Sequence, residues 1–228
     1  MNGTAAPALE ISDLRFRYAS GGDWVVDLPK LRLERGEQVA LQGSSGSGKS
    51  SLLQVVAGLV DPREGSVRIA GTDIHALRGA RRDRFRGSNL GMIFQTFNLL
   101  PGFSATENVQ MALLFSRVPR REHRSRSADL LRSLGIDSPD REVTELSVGQ
   151  QQRVAVARAL ACDPPLVLAD EPTASLDPEN AARAIELIQS ACRERNAALL
   201  CVSHDPSVIA RFETRHAMAG LRASGAAG

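Results

Sequence analysis

The stretch from Gln38 to Leu59, QVALQGSSGSGKSSLLQVVAGL, limits the possible folds more than any other part of the chain. A short apolar run (Val39, Ala40, Leu41) enters a glycine-rich turn, and an apolar-periodic helix leaves it. Between them stands Gly43-x-x-x-x-Gly48-Lys49-Ser50, the P-loop pattern with its strand before and its helix after. Glycines at 43, 46 and 48 are expected to let the backbone curl. The successive amides of Gly43, Ser44, Ser45, Gly46, Ser47, Gly48, Lys49, Ser50 and Ser51 would then face phosphate oxygens. The helix that follows adds unpaired N-terminal donors and the positive end of its dipole. Lys49 is placed to meet the β- and γ-phosphates, and the Ser50 hydroxyl to ligate Mg²⁺. A flexible Gly/Ser turn that merely precedes a helix would not need lysine, hydroxyl, strand and helix in register. The expected ligand is a nucleoside triphosphate.

The 228 residues suit one domain, or one domain with an inserted subdomain, with enough chain to bury a full core. A net charge of only +2 argues against a dedicated nucleic-acid binder. Lys30 and Lys49 are the only lysines, so the lysine of the P-loop is nearly alone among arginines. Cys162, Cys192 and Cys201 are widely spaced in apolar or helical contexts, which fits buried thiols in a reducing compartment better than a metal site. No apolar run reaches the length of a membrane span and no signal-peptide pattern is present, so any membrane role is expected to come through a partner.

Before the P-loop, Leu9 to Tyr18 and the Leu31–Leu33 segment alternate as strands of a small antiparallel sheet. Tyr18 at a strand end could stack on a purine or be an ordinary half-buried strand tyrosine, and Trp24 competes for the same role. After the P-loop helix come a strand around Val67 and Ile69 and an arginine-rich helical stretch, Ala80 to Arg86, read as a solvated face. Leu90 to Phe94 is a buried-strand pattern that stops at Gln95. That glutamine is either a polar strand terminus or a Mg²⁺ ligand and γ-phosphate sensor on a hinge loop. Ser104-Ala-Thr-Glu107 and Ser147-x-x-Gln150 are capping-box patterns, each opening a helix, with a basic helical run from Arg120 to Arg132 between them. Pro165 to Ala169 is an apolar strand ending in Asp170-Glu171, a pair suited to a metal-coordinating acid and a water-activating base. Asp177-Pro178 starts another helix, and Ala198 to Val202 a last buried strand ending at Ser203-His204-Asp205. His204 is either structural or a ligand-side histidine at the end of a parallel strand. The Ala/Gly-rich segment from Arg222 to Gly228 is expected to fray.

In this order the signals closely resemble the nucleotide-binding subunits of ABC transporters, over about Leu9 to Leu221. Gly43–Ser50 is similar to the Walker A motif, Gln95 to the Q-loop, and Leu146–Gln150 to the signature motif. Leu166–Glu171 is similar to Walker B with its catalytic glutamate, Ala174–Asp177 to the D-loop, His204 to the switch histidine and Tyr18 to the adenine-stacking aromatic. The stretch MIFQTFNLLPGFSATENV most resembles the lipoprotein-releasing and macrolide-export type. One departure stands out: Val148 occupies a position where the signature usually has glycine, and a β-branched residue there would stiffen the turn.

The resemblance implies an α/β fold: a P-loop NTPase (RecA-like) core with an N-terminal antiparallel β subdomain and an inserted α-helical subdomain. The single domain would span 8–221, with the core at roughly 8–95 and 162–221 and the helical part at roughly 96–161. It implies an ATPase using ATP and Mg²⁺. Glu171, His204, Lys49 and Gln95 would be catalytic. Ser50, Gln95 and Asp170 would serve the metal. Tyr18 and the P-loop would hold the nucleotide, while Ser147, Gly149, Gln150 and Asp177 would complete the site across a head-to-tail homodimer. An integral membrane permease subunit is the implied partner, with this chain peripheral on the cytoplasmic face of the inner membrane. A mechanotransmission complex of the cell-division type would use the same chemistry. A DNA-repair ATPase would need a long coiled-coil or zinc insert, yet only about fifty residues separate Gln95 from Ser147. A translation factor of the superfamily would carry two ATPase units.

Overall fold

The structure is a computed structural model and describes residues 6–19 and 21–221; the segment 222–228, expected to fray, lies outside them. Two sheets organise the chain. Strands β1 (Leu9–Phe16), β2 (Val26–Leu33), β4 (Glu64–Ile69) and the short β5 (Thr72–Asp73) form an antiparallel sheet in the order β2-β1-β4-β5. The second sheet is parallel, in the order β6-β7-β8-β3-β9, with β3 at Gln38–Gln42, β6 at Leu90–Ile93, β7 at Leu166–Asp170, β8 at Ala198–Ser203 and β9 at Thr214–Ala217. Because every strand of that sheet runs the same way, all their carboxyl ends reach one edge, where ligands of open α/β sheets bind.

The apolar runs of β3, β7 and β8 are buried on both faces, whereas Leu90 and Met92 of the edge strand β6 are half-buried, and the period of two divides the sheet between two cores. Val39, Leu41, Leu166, Leu168, Ala198, Leu200 and Val202 point one way, against α1 (Lys49–Val56) and the antiparallel sheet. Ala40, Ile93, Val167, Ala169, Leu199 and Cys201 point the other way, against helices. Those helices are α3 (Ala105–Leu113), α4 (His123–Ser133) and α5 (Val148–Leu160), which follow one another between β6 and β7, together with α6 (Pro178–Glu194). Along α6, Ile185, Ile188, Ala191 and Cys192 keep helical spacing and face this core. A short α7 (Pro206–Ile209) follows β8.

Local chemistry sets the ends of these elements. Both expected capping boxes are formed: Ser104 with Glu107 at α3, and Ser147 with Gln150 at α5. Pro29 lies inside β2, an edge strand, which is where a residue without an N–H can sit in a sheet. The arginine-rich helix α2 (Ala80–Asn89) has no buried residue, and Arg81 and Arg84 are exposed as expected of a solvated face, but two of its arginines are used by the fold. Arg82 is half-buried, pairs with Asp61 at 2.8 Å and donates to the carbonyls of Leu77 and Gly58. Arg86 also reaches Gly58 O, so two arginines satisfy the chain just past the C-terminal end of α1.

Candidate nucleotide site

The P-loop joins the carboxyl end of β3 to α1. Gly48 is the N-cap of α1, at φ +92°, and no side chain caps the helix, which leaves its first amides for a ligand. A Cβ at Gly48 would lie 2.3 Å from the carbonyl oxygen of Val25, so both the left-handed backbone and the close approach demand glycine there. Gly43 differs from the expectation. Its φ is not positive, and the reason for glycine is steric, a Cβ meeting Ser47 Oγ at 2.3 Å. Ser47 accordingly turns its hydroxyl inward, buried and without a hydrogen-bond partner, while its amide bonds Ser44 O.

Lys49, only 6% exposed, donates from Nζ to Gly43 O (2.7 Å) and Ser44 O (3.0 Å) and lies 3.3 Å from Glu171 Oε1. The Ser50 hydroxyl donates to Asp170 Oδ1 at 3.1 Å. Glu171 directly follows β7 with a left-handed backbone, φ +46°, fixed by its amide on Val202 O. Its carboxylate is gripped from β8: Oε1 faces His204 Nδ1 at 3.0 Å, and Oε2 accepts from Ser203 Oγ (3.0 Å) and His204 N (3.3 Å). Burial pushes the Glu171 carboxyl up, but the bonds from His204 and Ser203 outweigh it and leave the group below the ordinary glutamate range. Asp170 goes the other way. Burial raises its pKa and the neighbouring Glu171 charge adds to this, against the lowering bond from Ser50.

Ser203 was not singled out by its sequence. It is 1% exposed, and its hydroxyl also accepts from the Asp205 amide, so it has one orientation in which to hold Glu171. The register carried the signal: Asp170 pairs with Val202, which puts the next residues, Glu171 and Ser203, side by side.

A cleft of ≈590 Å³ is lined by Tyr18, Val25, Ser45, Gly46, Gly48, Lys49, Ser50, Ser51, Gln95, Glu171, Ala174 and His204, with Asp170 and Ser203 behind it as partners of Ser50 and Glu171. Tyr18, just beyond β1 and half exposed, is held by Phe16 edge-on at 5.0 Å and by Ser51 Oγ at 2.9 Å. Trp24 is outside this lining and stacks instead with Arg17, at 4.8 Å. Gln95 lies exposed just past β6, its carbonyl accepting from Ser175 Oγ at 3.4 Å.

The structure does not bring Ser147, Gly149, Gln150 or Asp177 into this cleft. Ser147 caps α5 and Asp177 caps α6, and Val148, Gly149, Gln152 and Asp177 line a separate cleft of ≈370 Å³. Val148 is the first residue of α5 with ordinary helical backbone, and its side chain is 55% exposed. No backbone conformation at that position requires glycine.

Ser50 and Asp170 present hard oxygen donors, which suit Mg²⁺, an ion that takes one or two protein ligands and completes its shell with water and phosphate. The amide cradle, Lys49 and a tyrosine ring suit a purine nucleoside triphosphate.

Residues 27–174 match the sequence profile of the ABC transporter family. The chain is 41% identical over 208 residues to the lipoprotein-releasing system ATP-binding protein LolD of Pseudomonas fluorescens, covering 90% of this chain and 92% of that one. It is 40% identical to the ABC transporter ATP-binding protein YtrE of Bacillus subtilis, covering 78% of each. It is 39% identical to the macrolide export ATP-binding/permease protein MacB of Rhodopseudomonas palustris, where it spans 32% of the longer relative. Among solved structures, the ATP-binding cassette MJ0796, a dimer in a post-hydrolysis state bound to ADP and Pi, superposes with a TM-score of 0.78 at 32% identity, covering 92% of this chain and 93% of the other.

Proposed function

The chain belongs to the ABC transporter family as an ATP-binding, ATP-hydrolysing subunit, and from that premise we propose how its residues divide the work. Lys49 and the P-loop amides hold the β- and γ-phosphates, and Tyr18 carries the adenine. Ser50, Gln95 and Asp170 would hold Mg²⁺. The ion supplies charge neutralisation across the phosphates. Glu171 accepts the proton of the attacking water, held in place by Ser203, and His204 contacts the γ-phosphate. Ser147, Gly149, Gln150 and Asp177 act on the nucleotide of a second copy packed head to tail. Because those contacts depend on the γ-phosphate, ATP favours the closed dimer and hydrolysis releases it.

The observation that carries this reading is the grip on Glu171: a carboxylate kept ionised by burial-outweighing hydrogen bonds, beside the lysine of a P-loop. Among the described residues no helix is long and apolar enough to cross a membrane. The likeness to the lipoprotein-releasing and macrolide-export proteins supports attachment to the cytoplasmic face of the inner membrane through an integral permease of that type. Glu171→Gln tests the base role. Turnover should fall by about 10²–10⁴-fold while ATP binding persists, and a variant that still hydrolyses ATP near the wild-type rate would remove Glu171 from that role. Tagged Glu171→Gln protein with ATP and Mg²⁺, recovered from native membranes, should bring the permease with it.

A further inference from the structure

The loop leaving β6 passes Gln95 into the nucleotide cleft and then turns through two consecutive non-glycine residues in the left-handed region, Phe97 at φ +54° and Asn98 at φ +49°. L side chains rarely adopt this conformation, and two in succession persist only where the surroundings over-determine them. The determinant is Arg158, in the last turn of α5. Its two terminal nitrogens donate to the carbonyl oxygens of Phe97 (2.6 Å) and Asn98 (2.5 Å). A planar guanidinium fork offers a separate nitrogen to each carbonyl, whereas an ammonium is a compact point charge without that fork. Burial alone draws down the Arg158 pKa, with no carboxylate among the described residues acting against it. A half-buried cation without an acid is costly to keep unless its hydrogen bonds matter. Beyond Asn98 the loop is fastened again, the Leu100 amide donating to Oδ1 of the fully buried Asn108 at 2.7 Å.

We propose that Arg158 is a positioning residue for hydrolysis: by clamping the carbonyls of Phe97 and Asn98 to α5, it fixes the backbone from which Gln95 reaches the cleft. Loop and helix then move as one piece, and since Ser147 caps the other end of α5, its two ends serve the two halves of the nucleotide sandwich. This rests on the part assigned above to Gln95.

Arg158→Met and Arg158→Lys are compared with the wild type by thermal unfolding, by amide hydrogen exchange of residues 95–100, and by ATP turnover in wild-type and Gln95→Ala backgrounds. Arg158→Met should speed exchange in the loop but not in α1. It should lower kcat on the order of tenfold with KM for ATP within about twofold. Arg158→Lys, which keeps the charge but not the rigid fork, should fall between. In the Gln95→Ala background, Arg158→Met should cost less than about twofold more, because both act through one side chain. Losses that multiply in full, or loop exchange at the wild-type rate, would overturn the proposal. Should the methionine variant unfold, the lysine variant carries the same two outcomes. If Gln95→Ala alone leaves turnover unchanged, the assignment of Gln95 fails instead, and Arg158 is judged on loop exchange.

Discussion

At Asp170 and Glu171 one kind of acid is driven in opposite directions by partners one residue apart. Glu171 has Ser203 and His204 as donors and its pKa lies low. Its contribution to stability is present above the unfolded glutamate value and is lost as pH falls through the folded one. Asp170 is buried beside that charge with one serine donor, and its pKa lies high. The sign is therefore reversed. The native state holds the Asp170 proton more tightly than the unfolded chain does, and ionisation above the folded value works against the fold. Asp170→Asn keeps an acceptor for Ser50 and removes the charge. It should raise the Tm of the nucleotide-free protein, more at about pH 8 than at about pH 4, while lowering Mg²⁺-dependent turnover. A Tm gain that is equal at both pH values, or absent at the higher one, would show that the carboxylate is not under this strain.

At the scale of elements, β6 carries Gln95 and is set by how closely it approaches α5. A Cβ at Gly91 would stand 2.3 Å from the carbonyl oxygen of Ala159, a backbone atom that cannot step aside. Gly91→Ala should therefore cost about 3 kcal/mol, roughly 6–12 °C in Tm at this chain length, read by thermal unfolding. A loss under about 1 kcal/mol would mean that strand and helix are free to separate. The sequence shows Gly91 only as a glycine inside a short apolar run, and the contact that explains it lies far along the chain. Where chemistry is local, legibility was high. The capping boxes at Ser104 and Ser147, the apolar strands ending in Asp170 and Ser203, and the P-loop between strand and helix all read directly from neighbouring residues. Strand β9 was missed because Thr214-Arg-His-Ala alternates weakly at a sheet edge and owes its place to pairing with β3. Ser203 and Arg82 were missed for a related reason: a hydroxyl or a guanidinium is assigned by its partner, and those partners, Glu171 and Gly58, sit on other elements.

At the scale of the whole molecule, the two clefts of one chain have separate linings. Lys49, Ser50 and Glu171 line one, while Val148, Gly149 and Asp177 line the other. If each nucleotide is held by the P-loop of one copy and the α5 end of its partner, two differently damaged chains can repair one another. Lys49→Ala removes the phosphate cation and leaves the α5 end intact. Ser147→Asp keeps a good helix cap yet sets a carboxylate where the γ-phosphate would come, and it leaves the P-loop intact. Each variant alone should be close to inactive in every site. Mixed in equal amounts, half of the dimers pair unlike chains, and one of the two sites in each such dimer is whole. Turnover should then recover to about a quarter of the wild-type rate, as two-fold symmetry requires. The recovery should fall on dilution, because it belongs to the assembly. A mixture as inactive as its components would mean that both halves of the site are drawn from a single chain, and the separation of the two clefts would have to close within it.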